Sequence, residues 1–214
     1  MKPPIAAYAA LAVLTGTAGP GFAGDCTPIV DPSRSIIEYS GASTPCHYKF
    51  RTDGSGDELV VDVTVRDALN IPCPGCSVSC ELLPISETLA LATCCPNIVT
   101  AITDASGYAQ LGFRAVSGRG AVQARVVLHC VGSIVLNTET ISFTSTDLNA
   151  GAISPVGVTN LFDLGIIGSS VGTATPLAPP DVYANFNCDD AVNVFDLAFF
   201  AGGLAVDCGD AACP

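Results

Sequence analysis

The chain has no tryptophan, one methionine and two histidines, and only eight of its 214 residues are lysine or arginine. Each shortage closes off a class of function. Against 20 acidic residues, so few basic ones leave a formal charge of −12. Such a surface repels nucleic acid and anionic lipid and favours divalent cations; simple solubility is the other reading of the same number. Neither histidine stands in a catalytic pattern: His47 directly follows Cys46 in an expected loop, and His129 ends an expected strand. There is no G-x-S-x-G and no H-E-x-x-H, and Glu81, Glu87 and Glu139 form no spaced pair. Ser117-Gly118-Arg119-Gly120 lacks the spacing of a phosphate cradle and reads as a turn between strands. The missing tryptophan and the scarcity of other aromatics weigh against stacking on sugars. The sequence points away from an enzyme.

Spanning hydrophobic segments are also lacking. Ile5–Leu14 is an unbroken apolar run of ten residues, against the roughly 20 that a bilayer requires, so no membrane insertion is expected. It follows Met1-Lys2 and precedes Gly21-Phe22-Ala23, whose small residues suit signal peptidase, so residues 1–23 read as a signal peptide. Asp25 before Cys26 rules against a lipobox. Removing the leader takes away Lys2 and no acid. The mature protein is expected to be secreted or extracellular, associated with the cell surface if a partner holds it there.

All eleven cysteines follow the leader, and in an exported protein they read first as disulfides. The odd number leaves one over. Cys73, Cys76 and Cys80 have a spacing that zinc would tolerate, but export and the scarcity of histidine favour disulfides. A bond between the neighbours Cys94 and Cys95 would be strained, so each is expected to reach a different partner.

Residues 24–146 read as strands. Leu59–Arg66 is β-branched and alternates from Val61 onward; Cys76, Val78 and Cys80 share one face against Ser77 and Ser79. Asp104-Ala105-Ser106-Gly107 is a turn, and Tyr108–Val116 alternates again, followed by 121–130 and 133–143. Many short strands with turns between them predict a β-sandwich. Val61-Asp62-Val63-Thr64-Val65-Arg66-Asp67-Ala68-Leu69-Asn70-Ile71-Pro72-Cys73-Pro74-Gly75-Cys76-Ser77-Val78 resembles the strand–turn–strand of bacterial immunoglobulin-like domains of the invasin/intimin type. Thr103–Leu111 is similar to a later turn of that family. The sequence departs at Asn70, where the family's turn glycine would sit, and at Cys73, Cys76 and Cys80, where larger apolar residues are usual. Cys76 and Cys80 are expected to bond to Cys94, Cys95 or Cys130.

Residues 147–214 form a second region. Asn160-Leu161-Phe162-Asp163-Leu164 recurs 33 residues later as Asn193-Val194-Phe195-Asp196-Leu197, within repeats at about 147–172 and 185–204. Between them Gly172–Pro180 reads as a linker by composition. In the second repeat, oxygen-bearing side chains fall at Asn185, Asn187, Asp189, Asn193 and Asp196, with the carbonyl of Ala191 between. Alternate residues of a tight loop can wrap a hard cation that wants six to eight oxygens, and the last carboxylate also suits a helix N-terminus. The other reading is a cation-free helix pair in which Asp196 is a cap and Asn193 a turn residue.

This pattern resembles the loop–helix repeat of type I dockerins, modules that bind cohesins. The resemblance implies a small α-helical calcium-loop domain, Ca2+ as cofactor, and a cohesin-like or cell-surface protein as partner. Asn185 replaces the usual Asp, and Asp190 replaces a glycine and would have to take a positive φ. The first repeat is weaker: Asp147, Asn149, Asn160 and Asp163 fit the ligand pattern, but Ala150–Thr159 is too long and carries no carboxylate. One competent site is expected, not two. Leu161, Phe162, Val194 and Phe195 stand where dockerins choose their partner. The phenylalanines either pack one repeat on the other, which is the preferred reading, or form an apolar docking patch. Cys188 and Cys208 are placed to bridge the second repeat.

Overall fold

The structure is a computed structural model that describes residues 30–130, 132–149, 157–174, 176–177 and 181–205. The leader, Cys26, Cys208 and Cys213 lie outside the described residues. The chain is mainly β, in two sheets. Strands β1 (Ile36–Ser40), β3 (Leu59–Thr64) and β6 (Tyr108–Phe113) make a three-stranded antiparallel sheet in the order β1-β3-β6. The larger sheet runs β2-β8-β7-β4-β5 and joins β2 (Tyr48–Phe50), β4 (Ser77–Thr93), β5 (Ile98–Ile102), β7 (Val116–Leu128) and β8 (Ile134–Ser145). Its pairs are antiparallel except β2 with β8.

Period-two alternation drives this arrangement. Val61 and Val63 of β3 and Leu111 and Phe113 of β6 point inward, where they meet Val78, Leu82, Val126, Leu128 and Phe143 of the larger sheet in one buried cluster. Two faces that each bury alternate side chains give a sandwich-like pair of layers. The departure at Asn70 leaves the turn after β3 intact: Asn70 adopts φ 66, the left-handed conformation that asparagine tolerates in place of glycine. Asp67 organises that turn by accepting N–H bonds from Leu69 and Ile71.

Three local expectations are corrected. Tyr108–Val116 is not one strand; β6 stops at Phe113 and β7 starts at Val116. Ser117–Gly120 is not a turn but lies inside β7. There Gly118 and Gly120 have φ of 105 and 118, and a Cβ on them would come within 2.1 Å of the Ala90 carbonyl oxygen and 2.4 Å of the Glu87 carbonyl oxygen. They let β7 pass close over the irregular part of β4, where the register shifts between Pro84 and Ala90. Among the cysteines, Cys76 bonds to Cys130, while Cys80 and Cys73 are free and buried. Burial pushes the Cys80 thiol up to about 12, which leaves it inert. The Cys76 bond also removes the zinc alternative at Cys73, Cys76 and Cys80. Cys94 and Cys95 are both disulfide-bonded.

The C-terminal stretch adds helices α1 (Leu161–Ser170) and α2 (Val194–Ala201), with a short 3-10 turn at Asp181–Tyr183. They enclose a second apolar cluster of Leu148, Ile167, Ala184, Phe186, Val192 and Phe200. No spacer separates this cluster from β8: Ser145, Thr146, Asp147, Leu148 and Asn149 are all buried in sequence. The N–H of Gly118 donates to the Asp147 carbonyl at 2.7 Å, and Arg119 donates to the Leu148 carbonyl at 2.8 Å. Arg51 lies over the Phe199 ring, 4.7 Å from its centroid. Residues 147–205 contain no Lys, Arg or His, so cations facing this acidic stretch come from the sheets.

Candidate cation-binding loops

Each helix of the repeat begins in the same way. Asn160 and Asn193 are extended N-caps with φ −146, and their side chains accept the N–H of Phe162 and Phe195 at 2.8 Å. The carboxylates three residues on reach back, Asp163 accepting from the Asn160 N–H at 2.9 Å and Asp196 from the Asn193 N–H at 2.8 Å. These are capping boxes, which satisfy helix donors that have no intrahelical partner. Both carboxylates are fully buried. Their second oxygens accept the N–H groups of Asn149 and Asn187, respectively, both at 3.2 Å. The cap asparagines also donate to the carbonyls of Val158 and Ala191, at 2.8 and 3.0 Å.

The second loop therefore draws together the residues that the sequence singled out. Asn187 and Asn193 both donate side-chain N–H bonds to Asp189, at 2.8 and 3.0 Å. The Ala191 N–H adds a third at 2.9 Å, and these donors hold the exposed Asp189 carboxyl below its usual range. Asn185 is 4% exposed; its amide N–H donates to the Asp189 carbonyl at 2.7 Å, while its Oδ1 is buried with no hydrogen-bond partner. A buried amide oxygen left unbonded costs about 1–3 kcal/mol. A hard cation would satisfy it, and the side chains at 185, 187, 189, 193 and 196 of this loop are all amides or carboxylates, the oxygen chemistry calcium selects. Asn187 and Asn193 would have to rotate their terminal amides so that oxygen replaces N–H toward the ion.

The left-handed residue of this loop is not Asp190. Among the described residues, the non-glycine positions with positive φ are Asn70, Cys188 and Ala205, and Cys188 has φ 58. The turn falls two residues earlier than the dockerin pattern implies. Cys188 is also not bonded to Cys208; it bonds to Cys46, 142 residues away beside β2. His47 next to it lies in a loop, as expected, but is 4% exposed, and burial pushes its pKa down to about 4. Nor is Gly172–Ala174 a free linker: Gly172 donates to the Val192 carbonyl at 2.9 Å, Val192 returns a bond to Thr173 at 3.0 Å, and Ala174 bridges Ala191.

In the first loop, Asp147 accepts the Gly157 N–H at 2.8 Å, while Asp163 accepts the backbone N–H groups of Asn149 and Asn160. Burial holds the Asp163 carboxyl above its usual range despite those N–H donors. Residues 150–156 of this loop lie outside the described residues. The preferred packing role for the phenylalanines is overturned. Leu161, Phe162, Val194 and Phe195 are 76%, 56%, 68% and 68% exposed, and Phe186 and Phe200 fill the core between the repeats instead.

No family model matches the chain, and no curated protein matches it. Among solved structures, the chain is similar to invasin, a bacterial integrin-binding protein, at 18% identity and TM-score 0.32 over 66% of this chain. It spans 22% of the length of that structure. A second similar structure is a type II cohesin–X-dockerin complex from Acetivibrio cellulolyticus, at 15% identity and TM-score 0.29, covering 82% of this chain and 98% of that one. Among the described residues no helix is long and apolar enough to cross a membrane.

Sequence reasoning missed Cys46, His47, Arg51 and Arg119 as supports of the tail. No local signal marks them.

Proposed function

We propose that this is a secreted, non-catalytic attachment protein: an immunoglobulin-like module of invasin type carrying a dockerin-like tail that takes one calcium ion at residues 185–196. The observation that carries the reading is the buried, unbonded Oδ1 of Asn185, whose amide N–H donates to the Asp189 carbonyl in the loop that also carries Ala191, Asn193 and Asp196. Asn187 completes the set. The exposed Leu161, Phe162, Val194 and Phe195 are the side chains offered to a protein partner, cohesin-like or on the cell surface. Large apolar side chains exposed at two equivalent helix starts cost solubility without adding to the core, which favours a binding role over a packing one.

A second reading has its own support. The Cys46–Cys188 bond and the Arg51–Phe199 contact fasten the tail to the sheets. That favours a structural or adhesive protein in which the ion only stiffens the C-terminus. Immobilised full-length protein, exposed to cell-surface fractions with calcium or with chelator, separates the two. The attachment reading expects a calcium-dependent partner that the quadruple variant Leu161→Ser/Phe162→Ser/Val194→Ser/Phe195→Ser no longer captures. Calcium-dependent self-association or stiffening alone supports the structural reading.

A further inference from the structure

Cys188 sits between two of the proposed ligands, Asn187 and Asp189, and its backbone is left-handed at φ 58. That conformation suits glycine, or asparagine with its locally bonding side chain; cysteine has neither advantage. It persists only where the surroundings over-determine it. Here the constraint is a covalent bond. The Cys188 sulfur is bonded to Cys46, whose segment is anchored by the buried His47 and by the Thr44 hydroxyl donating to the His47 carbonyl at 2.8 Å. The reversal at Cys188 turns Asn187 and Asp189 toward each other, 2.8 Å apart through their side chains, and leaves the Asn187 N–H on Asp196.

We propose that the Cys46–Cys188 cystine is the positioning element of the cation loop: it holds position 188 in the left-handed conformation that aims Asn187 and Asp189 at a common ion. This rests on the calcium reading above and adds to it that affinity depends on the bond. Reduction by an external dithiol would move two electrons and two protons onto the cystine, giving two thiols and oxidising the dithiol to its cyclic disulfide. Cys188 would then be free to relax to negative φ, and the two ligand side chains would part.

The test uses the full-length oxidised chain, with calcium titrated by calorimetry and terbium by luminescence. Wild type, Cys46→Ser and the double variant Cys46→Ser/Cys188→Gly are compared, and the far-UV spectrum and melting curve of each report whether the sheets remain folded. The proposal expects affinity at least tenfold weaker in Cys46→Ser, and most of that loss recovered in the double variant, because glycine adopts positive φ without a tether. A staple that acted only by general stability would not be rescued by glycine. Should Cys46→Ser fold poorly, hydrogen exchange at the amides of Asn187 and Asp189 in the double variant carries the test: protection close to wild type supports positioning through φ, and free exchange overturns it. Equal affinity in wild type and Cys46→Ser overturns the proposal and leaves the calcium reading standing. No binding by wild type overturns the calcium reading itself.

Discussion

The two repeats of the tail share their ends and differ in their middles. Asn160 and Asn193 have matching cap dihedrals, and Asp163 and Asp196 close matching boxes with bonds that agree within 0.1 Å. Between the first ligand position and the cap they part. The first loop opens with Asp147, whose carboxylate is taken by the Gly157 N–H; the second opens with Asn185, whose Oδ1 has no partner. The first grows directly out of β8 and is backed by Gly118 and Arg119, whereas the second is fastened by a cystine to the segment before β2. A repeated cap is therefore evidence for a helix start, and the oxygens upstream of it decide whether an ion is held.

Removing the shared carboxylate should break the comparison most sharply. Asp196→Ala leaves the N–H groups of Asn187 and Asn193 unbonded, and is expected to abolish calcium binding and to cost roughly 3 kcal/mol of stability. Asp163→Ala should lower stability by about as much and leave calcium binding within twofold of wild type. Calorimetric titration beside thermal melting of both variants checks this; equal losses of binding would make the two loops equivalent.

Acid should distinguish the repeats next. His47 abuts the cystine of the second repeat, and its folded pKa of about 4 lies below the usual 6.5 because burial disfavours the imidazolium. The stability from keeping it neutral is fully present above pH 6.5 and is lost as pH falls toward 4, about 3 kcal/mol in all. Melting between pH 7 and 4 should show the loss, and His47→Gln should flatten it. Hydrogen exchange should place the loosening around Cys188 before α1.

A smaller effect should come from charge at the first ligand position. Asn185→Asp adds a carboxylate and is expected to tighten calcium binding about tenfold while lowering stability in chelator, because a buried anion would lack a partner. A variant that binds no better would show that Asn185 Oδ1 does not face the ion. Smallest of all should be Phe162→Ala and Phe195→Ala. Both side chains are mostly exposed, so each should shift stability by no more than about 0.5 kcal/mol. A drop of about 2 kcal/mol or more would return them to a packing role.

Much of the sheet architecture was legible because it is written locally. Alternation in Leu59–Thr64 and Tyr108–Phe113 needs no knowledge of the partner strand, and Asp104 and Gly107 make their turn from their own side chain and φ. The repeated Asn-x-x-Asp was legible too, although the cap proper is Asn193, read as a turn residue, and Asp196 closes the box from three residues on. What escaped depends on distant chain. Gly118 and Gly120 looked like a turn because a close approach to β4 is invisible in a short window. The left-handed position moved from Asp190 to Cys188 because a residue 142 positions away holds it there. The exposure of Phe195 is not written in the sequence, because apolarity alone does not say which of two aromatics of one helix, Phe195 or Phe200, turns inward.

The most direct measurement is a calorimetric calcium titration of the full-length oxidised chain beside its Asp196→Ala and Asp163→Ala variants. One ion per chain, lost in the first variant and kept in the second, is the predicted result. An absence of binding by wild type, or binding that survives Asp196→Ala, would contradict it.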